Sequence, residues 1–261
     1  METDKKLYFL GGLHRSGSTL LSSILNQNPN IYSSPTSPLV DILISSGKFL
    51  EQSKSTYTFD FDLHNRNLIH GILDNFYLHK NNQIIIDKHR GWPSVIQMLK
   101  VYYVCPKIIC TNRKIAEVIT SFIKLLENDP NNFIDNKLLE NGYDLTIKNR
   151  AHYIFLNLVN PIRVLIIDSL KNHRDCIHMV EYDDLISNPQ DTFNKIYNFL
   201  NINYYDHCFT NISNNNEEND ELWNIKDLHK VRSKLEKRNF SPYEVLGESL
   251  VDLYSQFDIK Y

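Results

Sequence analysis

Leu7-Tyr-Phe-Leu10-Gly11-Gly12-Leu13-His14-Arg15-Ser16-Gly17-Ser18-Thr19-Leu20-Leu21 carries three structural signals in succession. Leu7 to Leu10 is apolar without alternation, the pattern of a strand buried on both faces. Leu20-Leu21 and Ile24-Leu25 then recur at helical spacing until Asn28-Pro29, where proline disfavours continuation. A glycine-rich turn between a strand and a helix points successive backbone N–H groups at one spot, and the helix dipole favours an anion there. From Gly12 the spacing follows G-x-x-x-x-G-K-[ST], except that Ser18 stands where a nucleotidase places its lysine. Arg15, inside the loop, supplies the cation instead, and a guanidinium can grip a phosphate or sulfonate through two parallel hydrogen bonds. Gly12, His14, Arg15 and Ser16, followed by Gly17, Ser18 and Thr19, are therefore the candidate anion ligands. A Gly-Gly turn with a serine-rich helix start is the plainer alternative, and it leaves the internal arginine unexplained.

Working outward, three more apolar runs sit at helix-length intervals: Ile84–Ile86, Lys107–Cys110 and Ile177–Val180. Short, fully apolar runs separated by helices predict an α/β fold with a central parallel sheet flanked by helices. Helices are predicted over Lys114–Glu127 and over roughly Thr146–Leu170, the second kinked at Pro161 because the ring removes an internal hydrogen bond. Asn188-Pro189 reads as a cap followed by a first-turn proline, and Ser241-Pro-Tyr-Glu244 as a capping box. The polar stretch Asn211–Asp220 reads as a surface loop. No internal repeat is present, and one domain over 1–261 is the expectation.

Composition narrows the function. The chain has 261 residues, 42% hydrophobic and 23% charged, with a net charge of −3, and its pI is about 6.4. No overall basic field exists to hold a nucleic-acid backbone, so any anion site must be local. Cys105, Cys110, Cys176 and Cys208 show no C-x-x-C spacing, which suggests neither a zinc site nor a disulfide framework. The first residues do not read as a signal peptide, and no apolar run approaches membrane-spanning length. A reducing, cytoplasmic setting is the expectation; the oligomeric state is not set by these features.

Phe9 to Leu21 resembles the 5′-phosphosulfate loop of sulfotransferases, especially the bacterial and tyrosylprotein branches, which carry an arginine followed by Ser-Gly-Thr-Thr. The likeness extends along almost the whole chain. It implies a P-loop nucleotide-hydrolase-like fold and 3′-phosphoadenosine 5′-phosphosulfate as sulfuryl donor, with no metal. Cys110-Thr-Asn-Arg113, with Ser121 eight residues on, is similar to the family's 3′-phosphate element, which implies Arg113 and Ser121 as ligands. Val180-Glu-Tyr-Asp-Asp-Leu-Ile-Ser-Asn-Pro189 resembles the family segment that brings a tyrosine, here Tyr182, to the nucleotide. Asp227-Leu-His-Lys-Val-Arg-Ser-Lys-Leu235 is similar to a loop that closes over the nucleotide, with His229 and Arg232 as its polar positions; a solvated basic helix is the alternative.

Sulfuryl transfer needs charge stabilised on the leaving oxygen and an acceptor held in line. Arg15 and the loop amides suit the first task, and Lys88 resembles a family lysine near the transferred group. Tyrosylprotein sulfotransferases use a glutamate as base shortly after the first helix, where this chain has Tyr32-Ser-Ser-Pro-Thr-Ser-Pro38 with Thr36 at the matching position. The carboxylate is missing. His89 and His14 are the residues able to act as base near neutral pH, and His89, beside Lys88, is the first choice. The acceptor, a hydroxyl or amine, is not legible. Two other readings stand beside this one: a small-molecule P-loop kinase, for which Asp87 would be the metal carboxylate, and a non-catalytic nucleotide- or sulfated-ligand-binding protein of the same fold.

Overall fold

A computed structural model describes residues 5–55, 60–213, 218–236 and 240–261. Strands β1 (Lys6–Gly12), β2 (Ile31–Thr36), β3 (Ile84–Lys88), β4 (Ile108–Asn112) and β5 (Ile177–Glu181) form one parallel sheet in the order β2-β3-β1-β4-β5. The helices are α1 (Ser18–Leu25), α2 (Leu39–Gln52), α3 (Phe61–Asn75), α4 (Ile96–Leu99), α5 (Ile115–Leu126), α6 (Phe133–Glu140), α7 (Ile147–Ile154), α8 (Asn160–Asn172), α9 (Tyr182–Ser187), α10 (Pro189–Leu200), α11 (Pro242–Leu246) and α12 (Glu248–Ser255). Parallel neighbours require crossovers, and helices lie in each of them.

Successive strand residues face opposite sides of a sheet, and here both sides are apolar. Phe9, Ile85, Ile108 and Met179 join one core with α5, α7 and α8, while Leu10, Ile86, Ile109 and Val180 join a second with α1 and α10. Burial on both faces explains why the four predicted strands read as unbroken apolar runs. β2 was not predicted. Its sequence, Ile-Tyr-Ser-Ser-Pro-Thr, is polar and contains Pro35, which is tolerated because β2 is an edge strand whose register shifts between Ser33 and Thr36.

The long predicted helix is present as a continuous rod, Ile147–Asn172. Its irregularity is not at Pro161 itself: α7 passes into a π-helical turn, Phe155–Val159, just before it, where the N–H of Asn160 bonds the carbonyl five residues back. Widening the preceding turn accommodates a ring that would otherwise strike it. By length and composition this helix is long enough to cross a membrane, with 33% of its most apolar window buried. The separate apolar runs of the sequence did not indicate that length. Its buried residues, among them Ala151, Ile154, Val159 and Ile166, pack into the first core.

The capping box at Ser241 and Glu244 forms as expected. Asn188 precedes α10 but makes no side-chain cap; its amide donates to Ser187 Oγ at 3.3 Å. The expected loop 211–220 is only partly described, 214–217 lying outside the described residues, and its last residues are not simply surface: Glu218 is buried and Asp220 opens a 3₁₀ turn. Cys105 and Cys176, unconnected by any spacing motif, bring their sulfurs to 3.5 Å beside Asp175.

Strand parity on β3 decides the roles of two adjacent charges. Asp87 shares a face with Ile85 and is fully buried, accepting hydrogen bonds from Ser37 Oγ at 2.5 Å, Trp92 Nε1 at 2.8 Å and the Tyr77 hydroxyl. Lys88 points the other way, toward α1. Asp87 therefore pins α2, the segment after α3 and the turn after β3 to the sheet, and its lone pairs are committed to structure rather than to a metal as the kinase reading required. Burial still pushes its carboxyl above the ordinary value, the three donors opposing. Asp87→Ala should lower stability by on the order of 3 kcal/mol, because three buried donors lose a charged acceptor. Urea denaturation checks this, a loss under about 1 kcal/mol being inconsistent with the network.

Candidate active site: a cationic cleft at the strand ends

β1, β3, β4 and β5 all end at the same edge of the sheet, the position where open parallel α/β sheets bind ligands. A cleft of about 510 Å³ lies there, within the usual size of a small-molecule site. Its wall carries Arg15, Arg90, Arg113, Lys124, Lys230, Arg232 and Lys234 against the carboxylates of Glu127, Asp227 and Glu236. A chain of net charge −3 thus concentrates positive charge in one place.

The loop after β1 is shaped by backbone constraints. Gly12 has φ +130°, and a Cβ there would fall within 2.5 Å of the Thr111 amide nitrogen and strike that residue's Oγ1 and carbonyl as well. Gly17 has φ +94° and packs against Tyr182 and Leu185. Arg15 also adopts a left-handed backbone, φ 56°, uncommon for a residue with a side chain. It is held there from several sides: its carbonyl accepts Arg113 Nη1 at 3.2 Å, its Nε donates to Ser121 Oγ at 3.2 Å, and its Nη1 donates to the Leu228 carbonyl. Helix α1 begins at Ser18 with no side-chain cap and no acidic residue in its first turn. Its N-terminal residues Ser18, Thr19 and Leu20 line the cleft, so an anion there would meet helix N–H groups and several guanidinium groups together.

Arg113 leaves the end of β4, pairs with Glu117 at 2.9 Å and stacks over the Tyr182 ring at 4.1 Å. The structure thus gathers Arg15, Gly17, Ser18, Thr19, Arg113 and Ser121 into one cleft with Tyr182, His229 and Arg232. Other predicted ligands fall differently. Gly12 packs under the loop. Ser16 turns its hydroxyl inward, to the Leu13 carbonyl at 2.5 Å and Thr111 Oγ1 at 2.6 Å, so its side chain holds the loop rather than facing a ligand. His89, predicted as the base, lies outside the cleft lining: its Nδ1 accepts the Gly91 N–H at 3.0 Å and its Nε2 faces Asp41 on α2 at 3.5 Å. One residue past the strand end, the chain turns it back over α2.

Sequence reading missed Arg90, Glu218 and Asp220. Lys88, buried, donates to Thr19 Oγ1 at 3.3 Å and is ion-paired to Glu218, whose Oε1 also accepts the Thr36 N–H at 3.0 Å and the Thr36 hydroxyl at 3.1 Å. A carboxylate therefore does stand at Thr36, delivered from 182 residues away. Burial lowers the Lys88 ammonium, with Glu218 opposing. For Glu218 burial acts upward, but Lys88, His229 and the Thr36 N–H together outweigh it and hold the carboxyl below its ordinary value. Burial brings the Arg90 guanidinium down to about 10. His14 is held well below the ordinary histidine value, first by burial and then by Arg90, Arg15 and His229. Three shielded nitrogens around this point, His14 Nδ1, Arg90 Nε and His229 Nε2, have no hydrogen-bond partner among the described residues. Buried donors and acceptors of this kind normally have partners, and a bound ligand would provide them.

The fold is α/β with a central parallel sheet, and at its strand ends a helix start, several cationic side chains and buried polar groups share one cleft. The chain belongs to the sulfotransferase family, whose family model matches residues 8–206. Its class of reaction is sulfuryl transfer. Among solved structures it is similar to the sulfotransferase domain of the curacin biosynthetic pathway, with 17% identity, coverage of 98% of this chain and 92% of that one, and a TM-score of 0.51. It is also similar to the sulfotransferase domain of the Synechococcus PCC 7002 olefin synthase, with 19% identity, coverage of 77% and 75%, and a TM-score of 0.48. A third is mouse sulfotransferase SULT7A1 complexed with PAP, with 15% identity, coverage of 79% and 61%, and a TM-score of 0.46. No curated relative matches the chain by sequence. Gly12→Ala should cost on the order of 1–3 kcal/mol through left-handed strain and collision with Thr111, lowering the melting temperature and distorting the loop. A variant melting like the parent would remove that account.

Proposed function

We propose that this chain transfers a sulfuryl group from 3′-phosphoadenosine 5′-phosphosulfate to a hydroxyl or amine acceptor. The observation that carries the reading is the convergence of an uncapped helix start, Arg15 and Arg113 on one cleft, with Arg113 stacked on Tyr182. The donor supplies a sulfuryl group bonded to a phosphate oxygen that can leave. In this reading the amide groups at 17–20 and Arg15 hold the 5′ end of the nucleotide, Arg113 and Ser121 hold its 3′-phosphate, and Tyr182 packs beside it, while Arg232 neutralises charge at the rim. Lys88 stabilises charge on the leaving oxygen, and being buried it acts in a low-dielectric setting where one cation has a large effect. Lys88 is paired with Glu218 in the structure, so the arriving anion exchanges one negative partner for another. The same proposal places the activity in one domain over 1–261, in the cytoplasm, and without a metal.

Binding of 3′,5′-adenosine bisphosphate should raise the melting temperature with chelator present, since a ligand that binds only the native state stabilises it. No shift at saturating ligand, or a shift that needs magnesium, would count against the donor assignment and favour a kinase. Arg113→Ala should weaken this ligand by on the order of 1.5–3 kcal/mol while leaving adenosine 5′-phosphosulfate, which lacks the 3′-phosphate, nearly unchanged. Calorimetry with the two ligands separates the contact, because equal weakening of both would place Arg113 elsewhere on the nucleotide.

A further inference from the structure

Among the groups near the inner end of the cleft with the chemistry to take a proton from an acceptor are His89, His14, Glu218 and His229. They differ in orientation and in what already occupies their lone pairs. His89 is turned onto Asp41. Glu218 Oε1 is already engaged by Lys88 and by both donors of Thr36, and an ionised carboxylate held down by a neighbouring ammonium is a weak base near neutral pH. His14 lies within the anion loop beside Arg15, and its Nδ1 has no hydrogen-bond partner, carboxylate or other, among the described residues.

His229 is different. Its Nδ1 lies 2.6 Å from Asp220 Oδ1, and its own backbone N–H donates to Asp220 Oδ2 at 3.2 Å. This two-point clamp fixes the ring and places the proton on Nδ1, because the carboxylate can only accept. Nε2 is thereby left with a lone pair. That nitrogen is shielded, lacks a partner among the described residues and belongs to a side chain in the cleft wall. A carboxylate orienting an imidazole whose far nitrogen keeps an uncommitted lone pair beside a cleft is the arrangement that general-base catalysis requires. We propose that Asp220 and His229 form the base of the reaction, Nε2 of His229 removing the acceptor's proton and Asp220 orienting the ring and balancing the charge that forms. The proposal rests on the sulfuryl-transfer reading above.

The step balances. The acceptor oxygen or nitrogen forms a bond to sulfur as the bond between sulfur and the 5′-phosphate oxygen breaks. The proton goes to His229 Nε2, the leaving phosphate carries the electron pair, and the imidazolium formed stays bonded to Asp220. The charged and titratable groups acting on the ring are Glu218 and Asp220 from its own segment, Lys88 and Arg90 from the end of β3, and His14 from the anion loop. Burial lowers the His229 value, Lys88 and Arg90 add to that, and Glu218 and Asp220 oppose it, leaving the ring neutral near pH 7 and able to accept.

The test has two arms. In the first, 15N-histidine NMR of the intact protein should find His229 neutral and protonated on Nδ1 at pH 7.5, with Asp220→Asn mixing the tautomers. An Nε2–H tautomer or an imidazolium at that pH would overturn the proposal without any assay of activity. In the second, turnover of radiolabelled 3′-phosphoadenosine 5′-phosphosulfate is followed with water and with a screen of phenols, sugars, amines and lipids. His229→Ala, and His229→Gln as a polar control for folding, should lower turnover about 10²–10⁴-fold while 3′,5′-adenosine bisphosphate binds as in the parent. Parent turnover should rise with pH and level off with its midpoint below about 6.5, because only the neutral ring acts. Asp220→Asn should lower turnover and leave bisphosphate binding intact. Retained turnover in His229→Ala, with loss in Glu218→Gln, would transfer the role to Glu218. Bisphosphate binding lost together with turnover in His229→Ala would make His229 a phosphate ligand. A parent that binds no bisphosphate fails the donor reading itself; where it binds but transfers to nothing in the screen, the tautomer measurement decides, an Nε2–H ring or an imidazolium overturning the base.

Discussion

The close approach of Gly12 to Thr111 is the contact on which the site depends. β1 and β4 are neighbours in the sheet, and their pairing runs up to Gly12 opposite Thr111. With no side chain at Gly12, the chain can leave β1 with φ +130° directly above that partner. The following residues then curl, with Ser16 Oγ bonded back to Thr111, and α1 starts with its N–H groups toward the cleft. A side chain at Gly12 would push this turn away from β4 and separate Arg15 from Arg113, which come from the two strands and meet through the Arg15 carbonyl.

Strand parity governs the next layer. Asp87 and Lys88 are adjacent charges near the end of a buried strand, and neither has bulk solvent to stabilise it. The pleat sends them to opposite sides, where each is stabilised differently. Asp87 is surrounded by three donors and holds the scaffold; Lys88 reaches α1 and an ion pair. Buried charge is tolerable only when paired, so the Lys88 pairing to Glu218 follows from its burial. Under the proposed function, an arriving anion would replace the carboxylate without leaving the ammonium bare.

Of the residues singled out in the sequence, those following β1 and β4 line one cleft, whereas His89 lies outside it. Elements near their strands, Arg15 after β1 and Arg113 after β4, stand where their sequence context placed them. Residues delivered by the long irregular segment after α10 do not betray themselves locally. Nothing in Asn211–Asp220 signals a buried glutamate, since a polar run has the composition of a surface loop whether or not one of its members is folded inward. The only available hint was negative: a position at Thr36 without the carboxylate expected of it.

By itself the sequence determined four of the five strands, the glycine-rich loop after β1 and the helix that follows it. These are local facts: buried parallel strands must be apolar throughout, a loop gripping an anion needs glycine and a cation at fixed offsets, and proline and capping residues mark helix ends. Tertiary structure alone decided that Pro35 sits in an edge strand, that the irregularity before Pro161 is a widened turn, that His89 turns away from the cleft, and that Glu218 and Asp220 reach Lys88 and His229. Each of those depends on a contact between segments far apart in the chain, and pairing across such distances is fixed by which surfaces the finished fold presses together. No periodicity within either segment records it.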